Sequence, residues 1–465
     1  MSALYTVRFG DREVDVTALV EFLDTIHAER SDPHEYLRIV VPAASSQPEL
    51  AIATIVQYAS RWTGVRVLGM HYTQVYHIDA DAPVEFYSPY FSGADRKMYF
   101  GADPGVESHL HVIDRSFARI GAAYEAVQPH AIITQVTVRM KSINGLPHVS
   151  MGASADYTHR LIMQTAIPLF VLQNTYQPWL NGNLVCTDRI DASMSFDHHM
   201  HETPKAKKSS QQVAIMECIA RSVSVVMRQI DHERGGEGLS VQMGVGVLPD
   251  FIVGMATESI GRVYSEVITN SMRQLPRGTP ITGTLVLGDQ SLFDWVDDNP
   301  FVHLLGVEIT NSGEVAKKLG LISIIQAMKV TLDGSTIVGV RKRHSGPGGA
   351  PDFGHSAGAT HFIVLPAARY DAKGSPTDSN IVLGADPLDF KVLNGFDRPE
   401  YLVTEFGVAR LTPHVREDGT VFMGTAEDVA EAIIEVAHPA FRDVLRREAA
   451  QAKITHASRI LTAVS

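Results

Sequence analysis

The sequence predicts an α/β protein made of two related open α/β domains with mostly parallel sheets. Two observations carry this. From Leu37 to Asn174, short apolar runs of strand length alternate with runs of helical spacing. A polar stretch, Asp197–Gln212, interrupts the alternation, which then restarts and continues towards the C-terminus. Strands separated by helical runs favour parallel sheets built from βαβ units. The polar stretch is the natural linker, so the division expected is 1–208 and 209–465.

In order, Leu37–Pro42 (LRIVVP) is a short apolar run ending at proline and reads as a buried strand. Pro48–Thr63 repeats apolar residues at helical spacing. Val65–His71, Ala131–Val138 and Ile167–Asn174 read as further strands. His109 and His111 alternate in another candidate strand. Past the linker, Gln212–His232 has helical periodicity and Gly238–Gly244 is a strand. Thr282–Leu287, His361–Pro366 and Tyr401–Glu405 continue the strand series. Ala426–Ala450 is strongly amphipathic and reads as one long helix.

At 465 residues the chain exceeds one ordinary core. Its formal net charge of −12 argues against nucleic acid or an anionic membrane surface as the main partner. Two cysteines, Cys186 and Cys218, give neither a disulfide framework nor a paired-cysteine zinc site, and suit a reducing cytoplasm. The first residues lack the basic flank and apolar run of a signal peptide. The most apolar stretches, such as Leu161–Leu172, are too short to span a bilayer.

Two glycine clusters and one carboxylate stand out. Gly244-Val245-Gly246 follows a strand and leads into Leu248-Pro249. Such a turn suits a phosphate or pantetheine chain against the backbone, and equally a plain strand-to-helix turn. The next apolar run ends in Tyr264-Ser265-Glu266. A carboxylate there can face whatever the turn holds. Near an apolar acyl pocket it can attack a thioester carbonyl, giving a mixed anhydride and then a glutamyl thioester. Ser345–Phe353 (SGPGGAPDF) is the second cluster, preceded by Arg341, Lys342, Arg343 and His344, which can meet cofactor phosphates. His198, His199 and His201 beside Asp197 and Glu202 fit no strong zinc spacing, so no metal site is expected.

In their order, these motifs resemble the acetyl-CoA hydrolase/transferase family, the group within the family I CoA-transferases that includes 4-hydroxybutyrate and acetate-type enzymes. The resemblance runs from about residue 35 to 446. His148–Asp156 (HVSMGASAD) is similar to the family's serine-leucine-glycine segment, and Asn174 and Pro178 fall in a characteristic short run. MGVGVLPD resembles its Gly-x-Gly-x-x-Pro turn, and Tyr264–Val267 the element carrying a nucleophilic glutamate. FDWVDDNP, GPGGAPDF, VTEFGVA and His438-Pro439 with Phe441-Arg442 are similar to further family elements.

The resemblance implies an active site in the interdomain cleft, with Glu266 as nucleophile. It implies Gly244, Gly246, Leu248, Gly346, Gly348 and Gly349 against coenzyme A, and Glu405 as a second carboxylate near the site. The substrates would be an acyl-CoA and a small carboxylic acid, with no permanently bound cofactor, in a cytoplasmic homodimer. The sequence departs from the family where Ile325, Lys329 and Thr331 replace its Asn, Glu and Asp. These changes point to an unusual substrate, and keep open an acyl-CoA hydrolase using the same glutamate, or a non-catalytic CoA-binding subunit.

Overall fold

The computed structural model describes residues 4–79, 81–100, 109–203, 208–340, 346, 348–387, 389–393 and 397–455. Its first half is built on seven strands: β1 (Leu37–Val40), β2 (Val65–Leu68), β3 (Val84–Ser88), β4 (Leu110–Val112), β5 (Ala131–Thr137), β6 (Leu169–Asn174) and β7 (Ala192–Ser195). All pair in parallel, in the order β7-β6-β5-β1-β2-β3-β4. Leu37 and Ile39 face helices Thr17–Glu29 and Glu49–Tyr58, while Val40 faces helices Phe117–Ala126 and Asp156–Gln164. Both faces of the sheet are therefore covered. That is why the central strands β5 and β6 are buried along nearly their whole length rather than alternating, while β1, β2 and β3 each carry one part-buried charged residue, Arg38, Arg66 and Glu85.

The second half holds β8 (Leu239–Met243), β9 (Ile260–Tyr264), β10 (Ile281–Gly283), β11 (Val302–Leu304), β12 (Ile322–Gln326), β13 (Thr360–Val364), β14 (Tyr401–Thr404) and β15 (Gly407–Arg410). Their order is β11-β10-β9-β8-β12-β13-β14-β15, parallel except for the terminal β14-β15 hairpin. Each half thus lays three strands outward on one side of its first strand; on the other side the first half lays three and the second half four, the fourth being the antiparallel β15. The halves share one topology, which the sequence suggests only through its restart. The chain reverses direction between β1 and β5, and again between β8 and β12. In such sheets, ligands sit at the carboxyl ends of strands beside the reversal.

Helix Ser210–Glu233 covers one face of the second sheet, started by a capping box between Ser209 and Gln212. The helix expected over Ala426–Ala450 is instead two, Ala426–Glu435 and Pro439–Gln451. Pro439 has no N–H to donate to the preceding turn, and His438 Nδ1 caps the new helix by accepting from Ala440 N–H at 3.2 Å. The expected strand Thr282–Leu287 is also divided, into β10 and Leu285–Val286.

The stretch read as a linker is anchored at its start. The Asp197 carboxylate accepts from Thr175 N–H and Oγ–H at 2.9 and 2.7 Å, and Thr203 N–H reaches Gly288 O at 2.9 Å. The halves are also stitched by backbone. Leu304 N–H donates to Asn181 O, and Val286 N–H to Ala153 O, both at 2.9 Å. Leu180, Ala153 and Ala155 lie inside the second half's core. Among the described residues no helix is long and apolar enough to cross a membrane.

Candidate active site

Strand β8 runs out at Met243, and the chain turns into helix Val247–Ala256. Gly246 holds φ at 140°, in the region that favours glycine. Gly244 has nothing within 4 Å of where a Cβ would stand, so its face of the turn is open. Leu248 puts its side chain in the core and reaches the turn only through its backbone.

Strand β9 ends beside this turn. Ser265 Oγ–H donates to Met243 O at 2.7 Å, fastening the two strand ends together. Glu266 follows. Its carbonyl accepts from Thr284 N–H at 3.0 Å and Leu285 N–H at 3.1 Å, which holds its backbone. Its Oε2 accepts from Asn311 Nδ2 at 2.9 Å. The same Asn311 amide donates to Asp352 Oδ2 at 3.1 Å, and Thr310 Oγ–H steadies Asn311 Oδ1 at 3.1 Å. Asp352 Oδ2 in turn accepts from Ala118 N–H of the first half at 3.0 Å.

The second glycine cluster closes over this group. A Cβ on Gly349 would overlap Glu266 Oε2 and stand 2.6 Å from Asn311 Nδ2. One on Gly346 would overlap Pro89 O, just past β3. Gly348 takes φ of 58° between them. The loop therefore passes between Glu266 and the Pro89–Tyr90 turn of the first half with no room for side chains at either contact. Beside Gly346 opens a cavity of about 300 Å³, lined in part by Tyr99, His111 and Phe390.

Glu266 keeps some surface as a residue, but its carboxyl is enclosed by protein. Burial pushes it up to about 7; the Asn311 hydrogen bond opposes this and the Asp352 charge adds to it. Burial likewise raises Asp352. A carboxyl poised near neutrality beside an amide donor is suited to attack or to proton transfer.

The sequence pointed to Glu266, Gly244, Gly246, Gly346, Gly348 and Gly349, and all lie at this end of the second sheet or on the loop over it. Glu405 does not join them. Its carboxylate accepts from Ala367 N–H at 2.8 Å and Tyr370 O–H at 2.7 Å, with β8, β12 and β13 between its strand and β9. Four strand spacings place it on the order of 19 Å away. Arg341–His344 lie outside the described residues. Ile325 is buried in the core under helix Ala350–Gly354. His198 Nε2 pairs with Glu49 Oε2 at 3.2 Å. Asn311, Asp352, Ser265 and Thr284 were not singled out. Asp352 stood in a motif read for its glycines, and nothing local marked Asn311.

Residues 288–449 match the acetyl-CoA hydrolase/transferase C-terminal domain. The chain carries that family's domain. A 4-hydroxybutyrate coenzyme A transferase of Clostridium kluyveri is 27% identical over 323 residues, 65% of this chain and 68% of the relative. A butyryl-CoA:acetate CoA-transferase of Anaerostipes caccae is 29% identical over 247 residues, 47% of this chain and 51% of the relative. The second match thus spans about half of its relative's length. The crystal structure of RipA from Yersinia pestis superposes with a TM-score of 0.74 at 20% identity, covering 93% of this chain and 99% of that one. That likeness shows the fold: two α/β domains with mostly parallel sheets. With the family domain in place, the glycine cluster at 346–349 and Asp352 fall inside the matched segment, and Glu266 lies before it.

Proposed function

We propose that the protein is an acyl-CoA:carboxylate CoA-transferase with Glu266 as nucleophile, and that 1–208 and 209–465 are its two domains. The observation that carries the proposal is the Glu266 carboxyl, enclosed between an amide donor and a glycine with no room for a side chain. The Glu266 carboxylate attacks the acyl-CoA carbonyl carbon, the C–S bond breaks, and CoA leaves as thiolate. A mixed anhydride forms. The thiolate then attacks the glutamyl carbonyl and expels the donor acid as carboxylate, leaving a Glu266–CoA thioester. An acceptor carboxylate reverses the two steps and departs as acyl-CoA.

Asn311 Nδ2 orients the Glu266 carboxylate, whose negative charge passes to the thioester carbonyl oxygen as the new C–O bond forms. Backbone of the turn at Gly244–Leu248 and of the loop at Gly346–Gly349 lies along the thioester, and the cavity beside Gly346 takes part of the CoA chain. Closure by the first half keeps water from the anhydride.

The test is intact mass after incubation with acetyl-, butyryl-, succinyl- and benzoyl-CoA, followed by borohydride and peptide mapping. A reduced mark on Glu266, absent in E266Q, is expected. Free CoA without a mark would replace transfer with hydrolysis, and a mark elsewhere would sink the assignment of the nucleophile.

A further inference from the structure

Asp156 opens helix Asp156–Gln164 and is completely buried. Its φ of 27° lies in the left-handed region, which a residue with a side chain takes up only when its surroundings enforce it. Four donors saturate the carboxylate. Ala43 N–H and Ser154 Oγ–H, each at 2.7 Å, reach Oδ2; Thr158 N–H at 2.6 Å and Oγ–H at 2.8 Å reach Oδ1. Two pairs of donors need two acceptor oxygens, which a carboxylate has and an amide lacks.

Each partner leads somewhere. Ala43 lies in the loop after β1, where the first sheet reverses direction. Ser154 bridges to Leu285 in antiparallel register, Ala155 N–H donates to Thr284 O at 2.9 Å, and Thr284 N–H donates to Glu266 O at 3.0 Å. One continuous path thus joins the reversal of the first sheet to the backbone of Glu266. From this path we infer that Asp156 is a positioning residue for Glu266, fixing the Ala153–Asp156 segment that sets the glutamate against the first half. It does not touch the reacting atoms. Its role rests on the transferase reading for its kinetic consequence, but the placement of Glu266 can be read without turnover.

The test compares D156N, S154A and D24N in the full chain. Asp24, bonded to Arg61 and Trp62, is a first-half control for lost stability alone. In D156N one donor pair faces an NH2 group, so the segment must shift. A displacement of about 1 Å at a reacting centre can cost about 100-fold in rate. The expected result is a kcat lower by about 100-fold with KM little changed, and a larger share of CoA lost to water. In carbon-13 glutamate-labelled protein, the Glu266 carboxyl of D156N should titrate closer to the ordinary glutamate range. S154A should lie between D156N and wild type, and D24N should lower only the melting temperature. Should D156N fail to fold, S154A carries the same comparison. A folded D156N, or S154A in its place, that matches D24N in both readouts overturns the inference. A wild type that transfers no CoA sinks the transferase reading instead, and the carboxyl titration then decides the role of Asp156 by itself.

Discussion

Alanine at position 349 probes the closest approach in the site. Gly349 has φ −87° and ψ 0°, a conformation alanine adopts freely, so the backbone opposes nothing. The side chain is the whole perturbation. Its Cβ would lie 2.7 Å from Glu266 Cδ and 2.6 Å from Asn311 Nδ2. The limiting contact is Glu266 Oε2, which the Cβ would overlap; carbon contacts settle at about 3.5–4.0 Å, so the carboxyl must retreat by more than about 1 Å. The loop cannot give way instead, because Gly346 is already pressed against Pro89 O. A shift of that size costs about 100-fold in rate, and it also breaks the Asn311 hydrogen bond, a charge-assisted contact worth about 1.5–3 kcal/mol. G349A should therefore lower kcat/KM by at least about 100-fold while melting within a few degrees of wild type. Steady-state transfer from acyl-CoA and a thermal melt of one preparation measure both. G348A is the contrasting variant. It meets nothing within 4 Å but needs φ of 58°, so its cost of about 1–2 kcal/mol falls on stability. Wild-type turnover in G349A would refute the packing of the loop on Glu266.

Other outcomes follow from the same geometry. The nucleophile is the carboxylate, so kcat/KM should rise with pH through about 7. N311A removes a hydrogen bond that lowers the Glu266 value and should move this limb upward; D352N removes a charge that raises it and should move the limb down. Both are read from pH–rate profiles. Glu266 binds its proton more tightly folded than unfolded, so its contribution to stability is lost as pH rises from the ordinary glutamate range through about 7. E266Q should flatten that decline in urea midpoints measured across the interval. Phe293 is fully buried in the second core, so F293A should cost about 3–5 kcal/mol of unfolding free energy without altering the pH profile.

The sheets were legible in the sequence because parallel strands covered on both faces leave short, mostly apolar runs between helical segments. Leu37–Val40, Val65–Leu68 and Leu169–Asn174 lie within a few residues of the spans expected. The break at Pro439 was written in the sequence too, yet apolar periodicity on both sides masked it. Glu266 was legible because a glycine turn and a strand end flank it closely. Asn311 was not: it is 45 residues from Glu266 and 41 from Asp352, capping the end of a helix of four residues. Only the fold brings such groups together. Asn174 is a different case. It stood out as a motif residue, but its amide is bonded to Gln135 Oε1 and His198 O, inside the first half.

Asn181 lies along β11, and Leu180 fills part of the core behind it. At the other end of the same sheet, β15 closes the edge with an antiparallel strand. A fragment beginning at Ser209 would bare the β11 edge and a hole where Leu180 sat, the template on which chains aggregate. Gene fission at the polar stretch would therefore give two products that must meet early after synthesis to stay in solution. A protease nick there, made after folding, would leave the pair joined.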